Sequence, residues 1–197
     1  MRLLLVRHGQ TDWNVAKRIQ GVTETDLNEA GRRQAYKLGE RLLEKGFRLQ
    51  GIGTSPMRRA VQTSRIVGDM LGISPVVLTG LEEMHMGRWE GMSWTQAQSA
   101  YPEAYAARER NPRWAKAPDG ECYQELLNRV IPPLQELARH EKGDWLIVTH
   151  AGCILALLGE IYRIPFLRVT ERFMVINARW ICVEGSAILR LRTRKCY

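Results

Sequence analysis

Four apolar residues in a row, Leu3-Leu4-Leu5-Val6, run into Arg7-His8-Gly9, where the glycine breaks the run. A run so short, apolar at every position, fits a strand buried on both faces. Similar runs recur at 51–54, 75–78, 145–149, 174–183 and 187–191, with helical patterns between the earlier ones. This alternation predicts an α/β fold: a three-layer sandwich in which a mostly parallel mixed sheet carries helices on both faces. Such sheets place ligands at the carboxyl ends of their strands, where Arg7 and His8 would stand.

The first helix is expected to start near Asn28, a good N-cap, and to bury Ala35, Leu38 and Leu42. A second follows Ser55-Pro56, read as N-cap and first-turn proline, with Ala60, Val67 and Leu71 inward. A third places Leu127, Val130, Leu134 and Leu137 on one face, with a kink or a break and restart at Pro132-Pro133. Residues 152–162 are apolar nearly all round and predict a buried helix. Glu184-Gly185-Ser186 reads as a hairpin joining the last two strands, which makes that pair antiparallel. Segment 84–119, with Trp89, Trp94, Tyr101, Tyr105 and Trp114, is weakly periodic apart from a helix over 94–105. It is expected to be a lid or specificity insertion in a single domain spanning 1–197.

Composition narrows the function classes. No apolar stretch approaches a membrane span; the longest is 153–158. Met1-Arg2 leads directly into the first strand without a longer apolar region, so a cytoplasmic chain is expected. Cys122, Cys153, Cys182 and Cys196 form no CxxC pair and, with four histidines, no zinc spacing; buried or free thiols are expected. The 29 Lys+Arg against 21 Asp+Glu give a net charge of +8, which helps draw in anionic substrates. Arg190, Arg192, Arg194 and Lys195 alternate with Leu189, Leu191 and Thr193, like the solvent face of a last strand. No basic helix or aromatic RNA-binding signature accompanies them, so neither a nucleic-acid nor a membrane partner is expected.

In a parallel sheet two strand ends converge: Arg7-His8-Gly9, and Thr149-His150-Ala151-Gly152, which also opens a helix with free N–H groups. Ser55-Pro56-Met57-Arg58-Arg59-Ala60 is a further strand end entering a helix. Arginine there suits phosphate, because its planar fork binds two oxygens at once. His85 is expected to be structural, beneath or beside such a site, with His140 at the surface and Arg58 turned to solvent. Trp94 and Trp114 lie where a substrate wall would form.

Arg7-His8-Gly9-Gln10-Thr11-Asp12-Trp13-Asn14 resembles the signature of the histidine phosphatase superfamily, phosphoglycerate mutase-like branch. The resemblance continues through Gln20-Gly21, Leu27-Asn28-Glu29-Ala30-Gly31 with Gln34-Ala35, and Ser55 to Thr63. It ends with Glu83-Met84-His85-Met86-Gly87, Trp89-Glu90-Gly91, Gly120-Glu121 and Val148-Thr149-His150-Ala151-Gly152.

The resemblance implies a phosphoglycerate mutase-like fold with His8 as a transiently phosphorylated nucleophile. Arg7, Arg59 and His150 would surround the phosphoryl oxygens, Asn14 and Gln20 would donate to them, and Gly21 and Ala151 complete the phosphate site. Glu83 would be the general acid that then activates water. No metal or other cofactor is implied, since neutral imidazole is itself a competent nucleophile. Gln10-Thr11 and the absence of the mutases' extra segment point to the phosphatase branch, near α-ribazole phosphatases of cobalamin synthesis and broad-specificity phosphatases. The implied partner is a small phosphorylated metabolite, with α-ribazole 5'-phosphate as one candidate, acted on by a monomer or homodimer. Mutase-type phosphoryl transfer and a non-catalytic phospholigand-binding module are the alternatives. Cys122 departs from the serine many relatives carry after Gly-Glu, which affects a helix cap or an outer contact.

Overall fold

The computed structural model describes residues 1–195. Strands β1 (Arg2–Arg7), β2 (Leu49–Thr54), β3 (Pro75–Val77) and β4 (Asp144–Thr149) run parallel, and β5 (Trp180–Glu184) runs antiparallel to β1. Their order is β3-β2-β4-β1-β5. Successive side chains of a strand point to opposite faces, so the apolar run of β1 serves two cores. Leu3 and Leu5 join Leu127 and Leu134 of α6 (Tyr123–His140) and Leu157 of α7 (Ala151–Tyr162). Leu4 and Val6 join Leu38 and Leu42 of α2 (Glu29–Glu44), with Ala60 and Val67 of α3 (Arg58–Leu71). Helices therefore cover both faces, as expected, and each fully buried aliphatic side chain contributes about 1.5–3 kcal/mol.

Asn28 caps α2 as read from the sequence, its side chain accepting the Gly31 N–H at 2.9 Å. Helix α6 runs on through Pro132-Pro133, so of the expected kink or break and restart the break does not occur. Val130, Ile131 and Leu134 are buried on either side of the prolines, and that burial offsets a proline cost of about 3 kcal/mol each. Two short helices, α4 (Trp94–Ala100) and α5 (Pro102–Arg110), replace the single one expected over 94–105, since Pro102 starts a new helix at N1.

The C-terminal segment also folds differently from the expectation. Residues 174–183 yield only β5, and 187–191 yields no strand: α9 (Gly185–Leu189) begins where the hairpin was placed. A five-residue segment with four apolar residues, Ala187-Ile188-Leu189 and Leu191, does not distinguish strand from buried helix by period, and here Ile188 packs fully buried in the core that α6 lines. The antiparallel pair is β1 with β5, and the basic residues 190–195 follow a helix rather than decorate a strand. Cys122 and Cys153 are buried and free, and Cys182 is exposed and free; Cys196 lies outside the described residues. No described helix is long and apolar enough to cross a membrane.

Candidate active site

Strand register brings the site together. Arg7 of β1 pairs with Thr149 of β4, and Thr54 of β2 pairs with Val148, so His8, His150 and Ser55 leave the sheet at one edge. Backbone bonds tie these exits: His8 N–H donates to Thr149 O at 3.0 Å and Ser55 N–H to Val148 O at 2.9 Å. The His8 and His150 rings lie 5.2 Å apart. Ser55 does not cap α3 as expected; the helix begins after Met57, and the Ser55 hydroxyl instead meets His150 Nε2 at 2.8 Å.

His8 is buried, and its Nδ1–H donates to the Gly9 carbonyl at 2.7 Å, the tautomer assigned from a carbonyl partner. Nε2 is then left with its lone pair. Burial, then Arg59, then Arg7 push the imidazole well below its ordinary 6.5, against an opposing pull from the Gly9 bond. The ring is neutral at pH 7.

Its backbone is clamped from three sides. Gly9 N–H donates to Thr63 Oγ1 at 2.9 Å, Thr63 donates on to the Arg59 carbonyl, and Asn177 Nδ2 donates to the His8 carbonyl at 2.8 Å. A Cβ on Gly9 would stand 2.5 Å from the Gly31 carbonyl oxygen, so only glycine fits this approach.

Two guanidinium groups face this imidazole. Arg59 is fully buried and donates to the carbonyls of Thr23 and Gly21 at 2.8 and 2.7 Å; Arg7 donates to the Val175 carbonyl at 3.2 Å. Burial lowers both pKa values, with Glu83 as the largest opposing influence. Each stays cationic, because arginine does not deprotonate in proteins. The Nε of each, and Nδ1 of the fully buried His150, have no partner among the described residues. Burial and the Arg59 charge also hold His150 well below 6.5. Buried cations and unused donors are costly unless an anion meets them, so the site is built for one.

Glu83 stands at the start of α7, where its Oε2 accepts the Gly152 N–H at 3.2 Å and its Oε1 accepts the Met84 N–H at 2.9 Å. A Cβ on Gly152 would lie 2.4 Å from Oε1, so glycine makes room for the carboxylate. Arg129 holds this loop by donating to the carbonyls of Gly80, Glu82 and Glu83, and it pairs with Glu121 at 2.5 Å.

A cavity of about 370 Å³ takes in Arg7, His8, Asn14, Gln20, Gly21, Arg59, Glu83 and Ala151, all expected in the site. His150 sits behind its wall against His8 and Ser55. Asn14 Oδ1 accepts from Thr11 N–H, and Gln20 Oε1 from the Thr11 and Thr25 hydroxyls, which leaves both amide nitrogens as donors.

Sequence reasoning missed Arg18 and Arg108 in the wall, and Asn177 and Arg129 behind it. Arg129 and Asn177 reach the Glu83 and His8 carbonyls across 46 and 169 residues, which no local pattern announces. Trp94 lines the cavity but Trp114 does not. His85 neither underlies nor lines the site; its side chain is exposed, 3.8 Å from Glu90. Arg58 faces solvent and pairs with Glu24 and Asp26, and the exposed His140 pairs with Glu136, as expected. Cys122 is the N-cap of α6, with its N–H donating to Glu125 at 2.7 Å.

An imidazole kept neutral beside two guanidinium groups, at the strand ends of a doubly covered sheet, suits a phosphoryl group. Residues 3–187 match the histidine phosphatase superfamily (branch 1), and the chain belongs to that superfamily. It is 35% identical over 172 residues to the metal-independent phosphoserine phosphatase of Arabidopsis thaliana, spanning 86% of this chain and 68% of that one. The mycobacterial glucosyl-3-phosphoglycerate phosphatase solved with VO3 superposes with a TM-score of 0.80 at 32% identity, covering 93% and 92% of the two chains. A putative α-ribazole-5'-P phosphatase from Escherichia coli superposes with a TM-score of 0.81 at 27% identity, covering 92% and 89%.

Proposed function

We propose that the chain hydrolyses small phosphomonoesters through a phosphohistidine on His8, and that one observation carries this: the neutral imidazole beside two guanidinium groups whose Nε atoms find no partner among the described residues. In the first step His8 Nε2 attacks phosphorus, the P–N bond forms, the ester P–O bond breaks, and Glu83 gives its proton to the leaving oxygen. In the second, the Glu83 carboxylate takes a proton from water, whose oxygen displaces the imidazole and releases phosphate. Arg7, Arg59, His150, Asn14 and Gln20, with the backbone at Gly21 and Ala151, hold the equatorial oxygens while charge redistributes. None of these steps uses a metal or another cofactor.

α-Ribazole 5'-phosphate is one substrate proposed within this reading, supported by the likeness to the Escherichia coli protein. Phosphoserine and glucosyl-3-phosphoglycerate, named in the other two relatives, enlarge the set. We read 84–119 as the specificity wall, since Met84, Met86, Trp94 and Arg108 line the cavity. The reading has a cytoplasmic monomer or homodimer acting without nucleic-acid or membrane partners. The test is His8→Ala, which is expected to cut hydrolysis of p-nitrophenyl phosphate by about 10⁴-fold or more while the protein stays folded. Wild-type turnover in that variant would refute the proposal.

A further inference from the structure

The cavity wall carries four guanidinium groups, on Arg7, Arg18, Arg59 and Arg108, against one carboxylate, Glu83. A phosphomonoester dianion between Arg7 and Arg59, with Glu83 carrying the proton it gives to the leaving oxygen, leaves the positive charge of Arg18 and Arg108 uncompensated. Arg108 shows where that charge is least used. Its guanidinium lies 5.3 Å from the Trp94 ring centroid and 5.7 Å from that of Phe166, on α8 (Phe166–Arg172). Among the described residues its side chain finds one polar partner, the weakly accepting Met84 sulfur at 3.8 Å. Other half-buried arginines of this chain are paired: Arg129 with Glu121, and Arg113 with Glu160 and Gln124.

Two aromatic rings therefore grip Arg108 by cation–π contact while its N–H fork is left for something that enters the cavity. A planar fork with free donors matches a carboxylate, which accepts two parallel hydrogen bonds. The rings already occupy the guanidinium, which disfavours a stacked heteroaromatic base as the occupant.

We propose that Arg108 recognises a carboxylate on the leaving-group portion of the substrate, so that the enzyme prefers phosphorylated hydroxy or amino acids over uncharged alkyl phosphates. The proposal rests on the phosphatase reading for the inner half of the cavity. Its test uses 3-phosphoglycerate and glycerol 3-phosphate, which differ by a carboxylate in place of a hydroxymethyl group. Calorimetry on the His8→Ala protein is expected to give at least about tenfold tighter binding of 3-phosphoglycerate. Adding Arg108→Gln should bring the two dissociation constants to within about twofold, and Arg108→Lys should restore part of the ratio, keeping the charge but not the fork.

A structural role for Arg108 would weaken both ligands alike and leave their ratio unchanged; that result overturns the proposal, as does a wild-type preference for glycerol 3-phosphate. KM values for the same pair, on protein with His8 intact, are the second readout. Hydrolysis surviving His8→Ala would refute the phosphohistidine reading alone, because the KM ratio of the two substrates, with and without Arg108→Gln, still tests Arg108.

Discussion

The two halves of the cavity are built in different ways. The inner half hangs from the ends of three neighbouring parallel strands, and its groups are fixed by backbone bonds and by glycines that admit no side chain. The outer half rests on α4, α5 and α8, short helices of 7, 9 and 7 residues; α5 buries none of its residues fully. Its wall of Met84, Met86, Trp94, Arg108 and Phe166 is apolar and aromatic with one cation. Chemistry needs donors held to a fraction of an ångström, whereas selectivity can be retuned on elements that carry little of the core. On the proposed mechanism, turnover belongs to the inner half and substrate choice to the outer.

The largest effect beyond loss of the nucleophile is expected at Glu83. Glu83→Gln should lower kcat/KM for alkyl phosphates by about 10²–10⁴-fold and for p-nitrophenyl phosphate much less, because a good leaving group needs no proton. Because kcat/KM reports the steps up to loss of the leaving group and not the later attack of water, an equal loss of kcat/KM for all substrates would remove Glu83 from acid catalysis. On the outer half, Trp94→Ala should change KM by up to about tenfold in a substrate-dependent way, with a smaller change in kcat. Trp94 is 45% exposed, so its loss should leave the fold standing. A uniform fall in kcat would blur the division between the halves.

The smallest effect concerns stability. His8 and His150 are both held well below 6.5 in the folded chain, chiefly by burial. Unfolded imidazoles take up protons near 6.5 while the folded ones stay neutral. Stability is therefore fully present above pH 6.5 and is lost as pH falls below it, by up to about 1.4 kcal/mol per unit for each histidine. Denaturant midpoints between pH 7.5 and about 5.5 check this, and His150→Asn should flatten the slope. An unchanged slope would mean that His150 does not stay neutral on folding.

Legibility in the sequence follows the same division. The inner half is written in contiguous stretches, because a residue just past a strand end enters the site by position alone: Arg7-His8-Gly9 and Thr149-His150-Ala151 could be read directly. Helices with a long apolar face, such as α2 and α7, were legible for a similar reason. Arg108 was not, since its role depends on Trp94 and Phe166 meeting it across separate helices. Asn177 lies 169 residues from the His8 carbonyl it holds, in a stretch read as strand that is mostly loop. The helix α9 escaped because so short an apolar stretch, Ala187-Ile188-Leu189, satisfies either period.

The most direct measurement is rapid quenching of turnover on a phosphate-radiolabelled substrate, with the labelled residue mapped under alkaline conditions that preserve phosphoramidates. The expected result is label on His8, formed and discharged at rates compatible with kcat. Label on another residue, or product phosphate released with no labelled protein at any time, would contradict the mechanism.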